Sequence, residues 1–336
     1  MTVFSEAFAM TGHVELPDDR GFVPGGGLRA FVATALGDAL GPCPPLGAGT
    51  PTVLSATYVV DPPFFADGDI GQVAVCGTVN ELAAAGAAPL GLALSAVIEA
   101  GLPLRRVRRV ADSVRDAAGA AGVVVMDVDT RVVRAGEADQ IYLHTAGLGV
   151  RRPTRDGPEP RSGDRLIVSA PLGGFGAHLL SVRASLGHES VISPGCAPLV
   201  GLLGQVRGAV PTGALRAVRT VGRGGLAATL LAYAGDTGLG LRINEDALPV
   251  RYEVQVALNE LGVDAVQAAT AGCVCLIVAP EAAELALAAL RRHPCGQDAA
   301  VVGEVVPAGA VAVELVRADG RATALSAESV PPARLA

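Results

Sequence analysis

Three glycine-rich segments of this chain are placed to do anion chemistry: Pro24-Gly25-Gly26-Gly27, Gly173-Gly174-Phe175-Gly176 and Gly222-Arg223-Gly224-Gly225. Glycine lets backbone approach a ligand closely, and the N–H groups at a helix start can then point at a phosphate or carboxylate. None of the three ends in Gly-Lys-Ser/Thr as a P-loop does, so a tight turn is the competing reading for each. Arg131 and Arg223 can clamp an anion or a carbonyl through the guanidinium fork; surface ion pairing is the alternative role. Cys76, in Cys76-Gly77-Thr78, reads either as a nucleophile or as a buried packing thiol. Cys273 and Cys275 would face the same way in a strand. No further Cys or His stands at metal-site spacing, so this pair reads as small buried hydrophobes. His144, His178, His188 and His293 are scattered, and none adjoins a Ser or Cys in a nucleophile motif.

The elements that must position these groups follow from the apolar pattern. Asp69 is placed to cap a helix predicted over 70–87, which is dense with Ala and Gly. β-type runs are expected over 90–99, 123–127 and 140–150, with a second helix over 104–121. The Pro-, Arg- and Gly-rich stretch 151–163 reads as a linker. Beyond it a strand over 164–170 and helices over 197–210 and 281–292 begin a second mixed unit. The expected organisation is an arm over 1–21, a domain over 22–150, the linker, and a domain over 164–336. A chain of 336 residues is long enough for two such cores.

Composition narrows the function classes. Half the residues are apolar, but only 3% are aromatic and there is no Trp, so Ala, Val and Leu must build the cores. The net charge of −7 excludes a basic nucleic-acid surface. All positive side chains are Arg, and the run Arg105-Arg106 with Arg108-Arg109 reads as a solvated helix face. No uninterrupted apolar run reaches the roughly 18 residues of a membrane helix. The N-terminus carries Glu6 and no Lys or Arg before Arg20, unlike a secretory signal, so a cytoplasmic protein is expected.

The segment Tyr58 to Pro89, YVVDPPFFADGDIGQVAVCGTVNELAAAGAAP, resembles a signature of the HypE family, the hydrogenase-maturation carbamoyl dehydratases of the PurM-like superfamily. Further motifs in the same order carry the resemblance from about residue 22 onward. They include Glu99-Ala-Gly-Leu-Pro103, Asp129-Thr130-Arg131, Cys196-Ala-Pro198-Leu199, Arg223-Gly224-Gly225-Leu226 and Asn259-Glu-Leu-Gly262. The resemblance implies an α+β, two-domain PurM-like fold, in which the N-terminal domain forms a shared β-barrel in a homodimer beside a C-terminal α+β domain. It implies ATP and Mg²⁺ as cofactors. The implied parent reaction is ATP-dependent dehydration of a thiocarboxamide, carried on a cysteine at the chain's end, to a thiocyanate.

The polar positions depart from the family. Ala336 stands where the family ends in Cys, Ala56 replaces an acid, and Glu81 replaces the Asp of an Asn-Asp pair. Gly174 and Thr220 also stand where the family carries carboxylates. The residues that the resemblance still marks are Asp129, Glu81 and Arg131 for catalysis, with Glu81 and Asp129 as metal ligands and Asp69 or Asp127 as possible additions. Gly25, Gly26, Gly27, Asn80, Thr130, Arg223, Gly224 and Gly225 are marked for the nucleotide. The expectation is a diverged HypE-like enzyme acting on a carboxamide, carbamoyl group or other small metabolite in a repurposed cleft. The alternatives are a carbamoyl dehydratase with an atypical terminus and a non-catalytic partner of another maturation or biosynthetic protein. No nucleic-acid or membrane partner is expected.

Overall fold

The computed structural model describes residues 26–66, 68–151, 157 and 159–325. The expected N-terminal arm, Gly25 and Ala336 lie outside those residues. The chain divides into two compact units, 1–82 with 88–150, and 83–87 with 151–336.

The first unit is built on a four-stranded sheet of order β1 (Thr50–Tyr58), β6 (Ile141–Arg151), β4 (Ala87–Glu99) and β5 (Val124–Val133). A short hairpin of β2 (Phe64–Phe65) and β3 (Gly68–Asp69) leads into α2 (Ile70–Ala84). Helices α1 (Gly26–Leu36) and α3 (Leu104–Ala121) complete the unit. β4, α3 and β5 form a parallel crossover unit. The stripe Leu104, Val107, Val110, Ala111, Val114, Ala117 and Ala118 is buried at the three-and-four spacing of one helix face. Gly122, at φ +68°, ends α3 in the left-handed conformation, its N–H donating to Ala118 and Gly119 carbonyls.

The basic run on α3 lies on a solvated face, as expected, with Arg105, Arg106 and Arg109 exposed, but two of its members also hold a neighbouring hairpin. Arg106 and Arg109 lie 5.0 and 5.7 Å from the centre of the Phe64 ring. Arg109 also donates to the Phe65 and Gly68 carbonyls at 2.9 and 2.8 Å, so two of the arginines clamp the hairpin that opens α2. β5 runs six residues beyond the expected 123–127, because Asp127, Asp129 and Arg131 alternate outward and let a half-exposed strand continue.

The second unit has a seven-stranded sheet of order β13 (Ala322–Ala324), β12 (Val313–Val316), β9 (Gly240–Asn244), β11 (Ala300–Val306), β7 (Arg165–Val168), β10 (Cys273–Val278) and β8 (Leu215–Val221). Its helices are α4 (Gly174–Ala184), α5 (Val200–Ala209), α6 (Gly225–Thr237), α7 (Tyr252–Leu261) and α8 (Ala283–Arg291). Every residue of β10 is buried because both faces of the sheet are covered. Val274, Leu276 and Val278 share one core with Leu202 of α5 and Leu290 of α8, while Cys273, Cys275 and Ile277 share another with Leu226 and Leu230 of α6. Cys273 and Cys275 therefore face one way, and burial pushes both thiols up from the ordinary cysteine range. Among the described residues no group of three His, Cys, Asp or Glu could hold a metal ion, and no helix is long and apolar enough to cross a membrane.

Candidate functional site

One face of the first-unit sheet is covered by helices and the other is open. Strand alternation puts Val125, Val128 and Thr130 of β5 on the covered face, where Thr130 is buried. Asp127, Asp129 and Arg131 take the open face, opposite Ala93, Ser95 and Val97 of β4. Arg131 Nε stands 3.9 Å from Asp129 Oδ2 with both side chains largely exposed, which is a loose pairing of small energetic weight. Asp127 is tied to Arg29 of α1 at 2.6 Å, so its carboxylate is already engaged. Across the same face, His144 of β6 bridges two hydroxyls of β1, with Nε2 3.2 Å from Ser55 Oγ and Nδ1 3.0 Å from Thr57 Oγ1. The sequence hinted at this polar row only through Thr52, Ser55 and Thr57 interspersed with apolar residues of β1.

On the covered face, α2 is locked down by Thr78. Its hydroxyl lies 2.6 Å from Thr145 Oγ1 and 3.1 Å from Tyr58 OH, and it also bonds the Ala74 carbonyl. A Cβ on Gly77 would come 2.5 Å from Tyr58 OH, and one on Gly147 would come 2.5 Å from Thr78 Cγ2. Close approach of helix to strand thus requires both glycines and explains the Cys76-Gly77-Thr78 motif without chemistry. Cys76 is 2% exposed within that contact and serves as packing. A Thr78→Val substitution keeps the shape but removes one hydrogen bond from the buried Thr145 hydroxyl and one from the half-buried Tyr58 hydroxyl. It should lower unfolding stability by about 1–3 kcal/mol in urea titration.

Asn80 is buried on α2, and Glu81 beside it is exposed by area. Burial by surrounding protein still raises the Glu81 carboxyl above its ordinary value, with no ion pair among the described residues to offset it. Because α2 lies on the covered side and Asp129 faces the open side, the two expected metal ligands do not converge within this unit. Asp69, the additional ligand considered, is fully buried and spent on structure. It accepts from Gly71 N at 2.8 Å and Ser113 Oγ at 2.7 Å, and Arg109 Nε lies 3.4 Å away. It caps α2 as its sequence position predicts.

In the second unit the glycine-rich motifs open α4 and α6. Gly173 and Gly224 take left-handed φ of +78° and +76° at the two helix N-caps. The segment 266–270 is laid across both starts. Ala269 O accepts from Gly176 N and Val266 O accepts from Ala227 N, each at 2.8 Å, and Thr270 Oγ1 accepts from Gly173 N at 2.8 Å. The Gly225 N–H, expected to face a phosphate, donates instead to the Gly222 carbonyl at 3.0 Å. Gly225 is required for a different reason: a Cβ there would meet Val266 O at 2.5 Å. Arg223 is exposed beside a water-sized void that Gly224 and Gln267 also line. The remaining histidines among the described residues have structural partners: His178 Nδ1 with Ile192 O, His188 with Glu260, and His293 Nδ1 accepting from Cys295 N.

Comparison with known proteins gives these two units a lineage. Residues 42–151 match the N-terminal domain, and 161–316 the C-terminal domain, of AIR synthase related proteins. A carbamoyl dehydratase HypE from Rhizobium leguminosarum bv. viciae is 41% identical over 266 residues, covering 78% of this chain and 75% of the relative. The Escherichia coli (strain K12) carbamoyl dehydratase HypE is 39% identical over 252 residues, covering 74% of each. The crystal structure of E. coli HypE, a hydrogenase maturation protein, superposes with a TM-score of 0.83 at 34% identity over 91% of this chain and 98% of that one. A HypE structure in complex with ATP gives a TM-score of 0.81 at 33% identity, over 92% and 94%. The two units carry the AIR synthase related, PurM-like fold, and the chain belongs to the HypE family of carbamoyl dehydratases.

Proposed function

We propose that this chain is an enzyme of HypE descent that acts on a carboxamide or carbamoyl group of a small molecule. The observation that carries this reading is a contrast between two sets of positions. Gly77, Thr78, Gly147 and Gly225, which build the scaffold, each meet a packing demand. Ala56, Gly174 and Thr220, by contrast, offer no carboxylate where the resemblance to the family implies one. A working scaffold with altered polar groups fits a changed substrate better than general decay.

Asp129 and Arg131, paired on the open face of the first-unit sheet, are proposed to orient the amide. One relative is solved with ATP and another in a HypE–HypF complex, which supports nucleotide use and a maturation partner as properties to test here. The described residues do not fit a carboxylate-bound Mg²⁺, since Glu81 and Asp129 lie on opposite sides of the sheet, and no step is assigned to the metal. The open sheet face is proposed to be covered by a second copy of the chain.

Calorimetry with ATP and Mg²⁺ tests the reading. Saturable binding supports an ATP-dependent enzyme, whereas no heat at about millimolar nucleotide would sink that form and leave the non-catalytic partner. Asp129→Ala should lower turnover of an established carboxamide substrate about 100-fold or more. Unchanged turnover would remove Asp129 from the site.

A further inference from the structure

The second unit contains a cleft lined by none of the glycine-rich motifs, although Asn259, which opens the Asn259-Glu-Leu-Gly262 motif, is among its lining residues. Its volume is about 470 Å³, within the range of small-molecule sites. Every residue that lines it belongs to this unit.

One end is a fixed charge wall. Arg317 donates Nη1 to Glu245 Oε1 at 2.8 Å and Nη2 to Asp264 Oδ2 at 2.7 Å. The second oxygen of each carboxylate accepts a backbone N–H, from Ala318 at 2.9 Å and from Val266 at 3.2 Å. Two carboxylates held against one guanidinium leave this wall with a net negative charge and with lone pairs still open to a donor.

α7 supplies a further part of the lining. Gln255 Nε2 donates to Asn259 Oδ1 at 2.7 Å, one turn apart, which leaves the Gln255 carbonyl oxygen and the Asn259 amide N–H groups unused by that bond. Tyr252, at the start of α7, is 83% exposed and holds its ring at the rim. Leu248 and Val263 supply the apolar part of the lining. A large exposed aromatic beside a negative wall suits a flat cation better than an anion or a sugar.

We propose that this cleft binds a small organic cation carrying a guanidinium or amidinium head on a short aliphatic stem. The head donates to the Gln255 oxygen and the carboxylate wall and lies over Tyr252, and the stem covers Leu248 and Val263.

The test is isothermal calorimetry of the whole chain with n-butylguanidinium, with neutral n-butylurea as the shape control. Saturable binding of the cation, at least about 10-fold tighter than the urea, is the expected result. Tyr252→Ala should weaken it roughly 3- to 30-fold, the range of a cation–π contact. Gln255→Leu should weaken it roughly 5-fold through one lost hydrogen bond. Both side chains lie at the surface, so the variants should keep the wild-type circular dichroism and melting curve. No saturation by about 10 mM, equal binding of the urea, or unchanged affinity in both variants would each overturn the site. A peptide such as acetyl-Leu-Arg-Leu-amide binding about 10-fold tighter than butylguanidinium would overturn the small-molecule assignment. The measurement needs no nucleotide, so its failure leaves the carboxamide reading untouched, and the reverse holds too.

Discussion

Replacing Gly225 with alanine is expected to destabilise the protein by about 3 kcal/mol or more, whereas the same change at Gly238 should cost only about 1 kcal/mol. The two glycines lie at opposite ends of α6, Gly225 as its first residue and Gly238 as its C-cap, and share nearly the same left-handed conformation, φ +63° and +67°. An L side chain in that conformation carries the same backbone strain at both sites. They differ in their surroundings. A Cβ at Gly238 meets nothing within 4 Å, but at Gly225 it meets Val266 O at 2.5 Å, Ala268 O at 2.7 Å and the Gln267 carbonyl carbon at 2.9 Å. Those atoms are backbone, tied to α6 by the Ala227 N–H to Val266 O hydrogen bond, and cannot swing aside like a side chain. Displacing them would also disturb the 266–270 segment where it bonds the start of α4. Urea denaturation of the two variants isolates the close-approach cost as their difference. Equal losses would show that the segment yields easily.

That comparison bears on how much of the site the sequence made legible. The Gly-Arg-Gly-Gly motif was visible, but its meaning depends on a segment more than 40 residues later whose carbonyls reach the helix start. Local pattern cannot reveal such a long-range neighbour, so a phosphate cradle and a steric gap look alike in sequence. The Cys76-Gly77-Thr78 motif has the same ambiguity, and Tyr58 and Thr145 on two different strands settle it in favour of packing.

The fold was easier to read than the site. α3 begins and ends where its apolar stripe and Gly122 say it should, because periodicity and a C-terminal glycine are both local signals. β10 was recognisable as an apolar run, and burial on both faces is what such a run means. The sheet faces are another matter. Glu81 and Asp129 each survive as acids in family motifs, and a reader of motifs alone brings them together. Alternation along β5 and the side on which α2 packs keep them apart within the unit. The polar row of Ser55, Thr57 and His144 was missed because its members sit in strands 87 or more residues apart.

Asp69→Ala should cost about 2–4 kcal/mol, from the lost N-cap and the loss of a hydrogen bond from a serine to a buried carboxylate. Its half-exposed partner Arg109 adds little to that figure. Asp69→Asn keeps the shape and an acceptor for Gly71 N, so it isolates the charge. Burial raises the Asp69 carboxyl above its ordinary 3.8, outweighing the bonds from Ser113 and Gly71 and the Arg109 charge that pull it down. The sign follows from proton linkage. A folded state that holds its proton more tightly than the unfolded chain is favoured below pH 3.8 and loses that advantage as pH rises through the raised value. Wild type should therefore lose stability relative to Asp69→Asn as pH climbs from about 4 toward neutrality, and the gap should level off once Asp69 is ionised in both states. Urea titrations of both proteins across that range measure the gap directly. A gap moving the opposite way would mean that the donors around the carboxylate, Ser113, Gly71, Gln72 and Arg109, outweigh its desolvation. Asp69 would then stabilise α2 as a charge, in addition to acting as a cap.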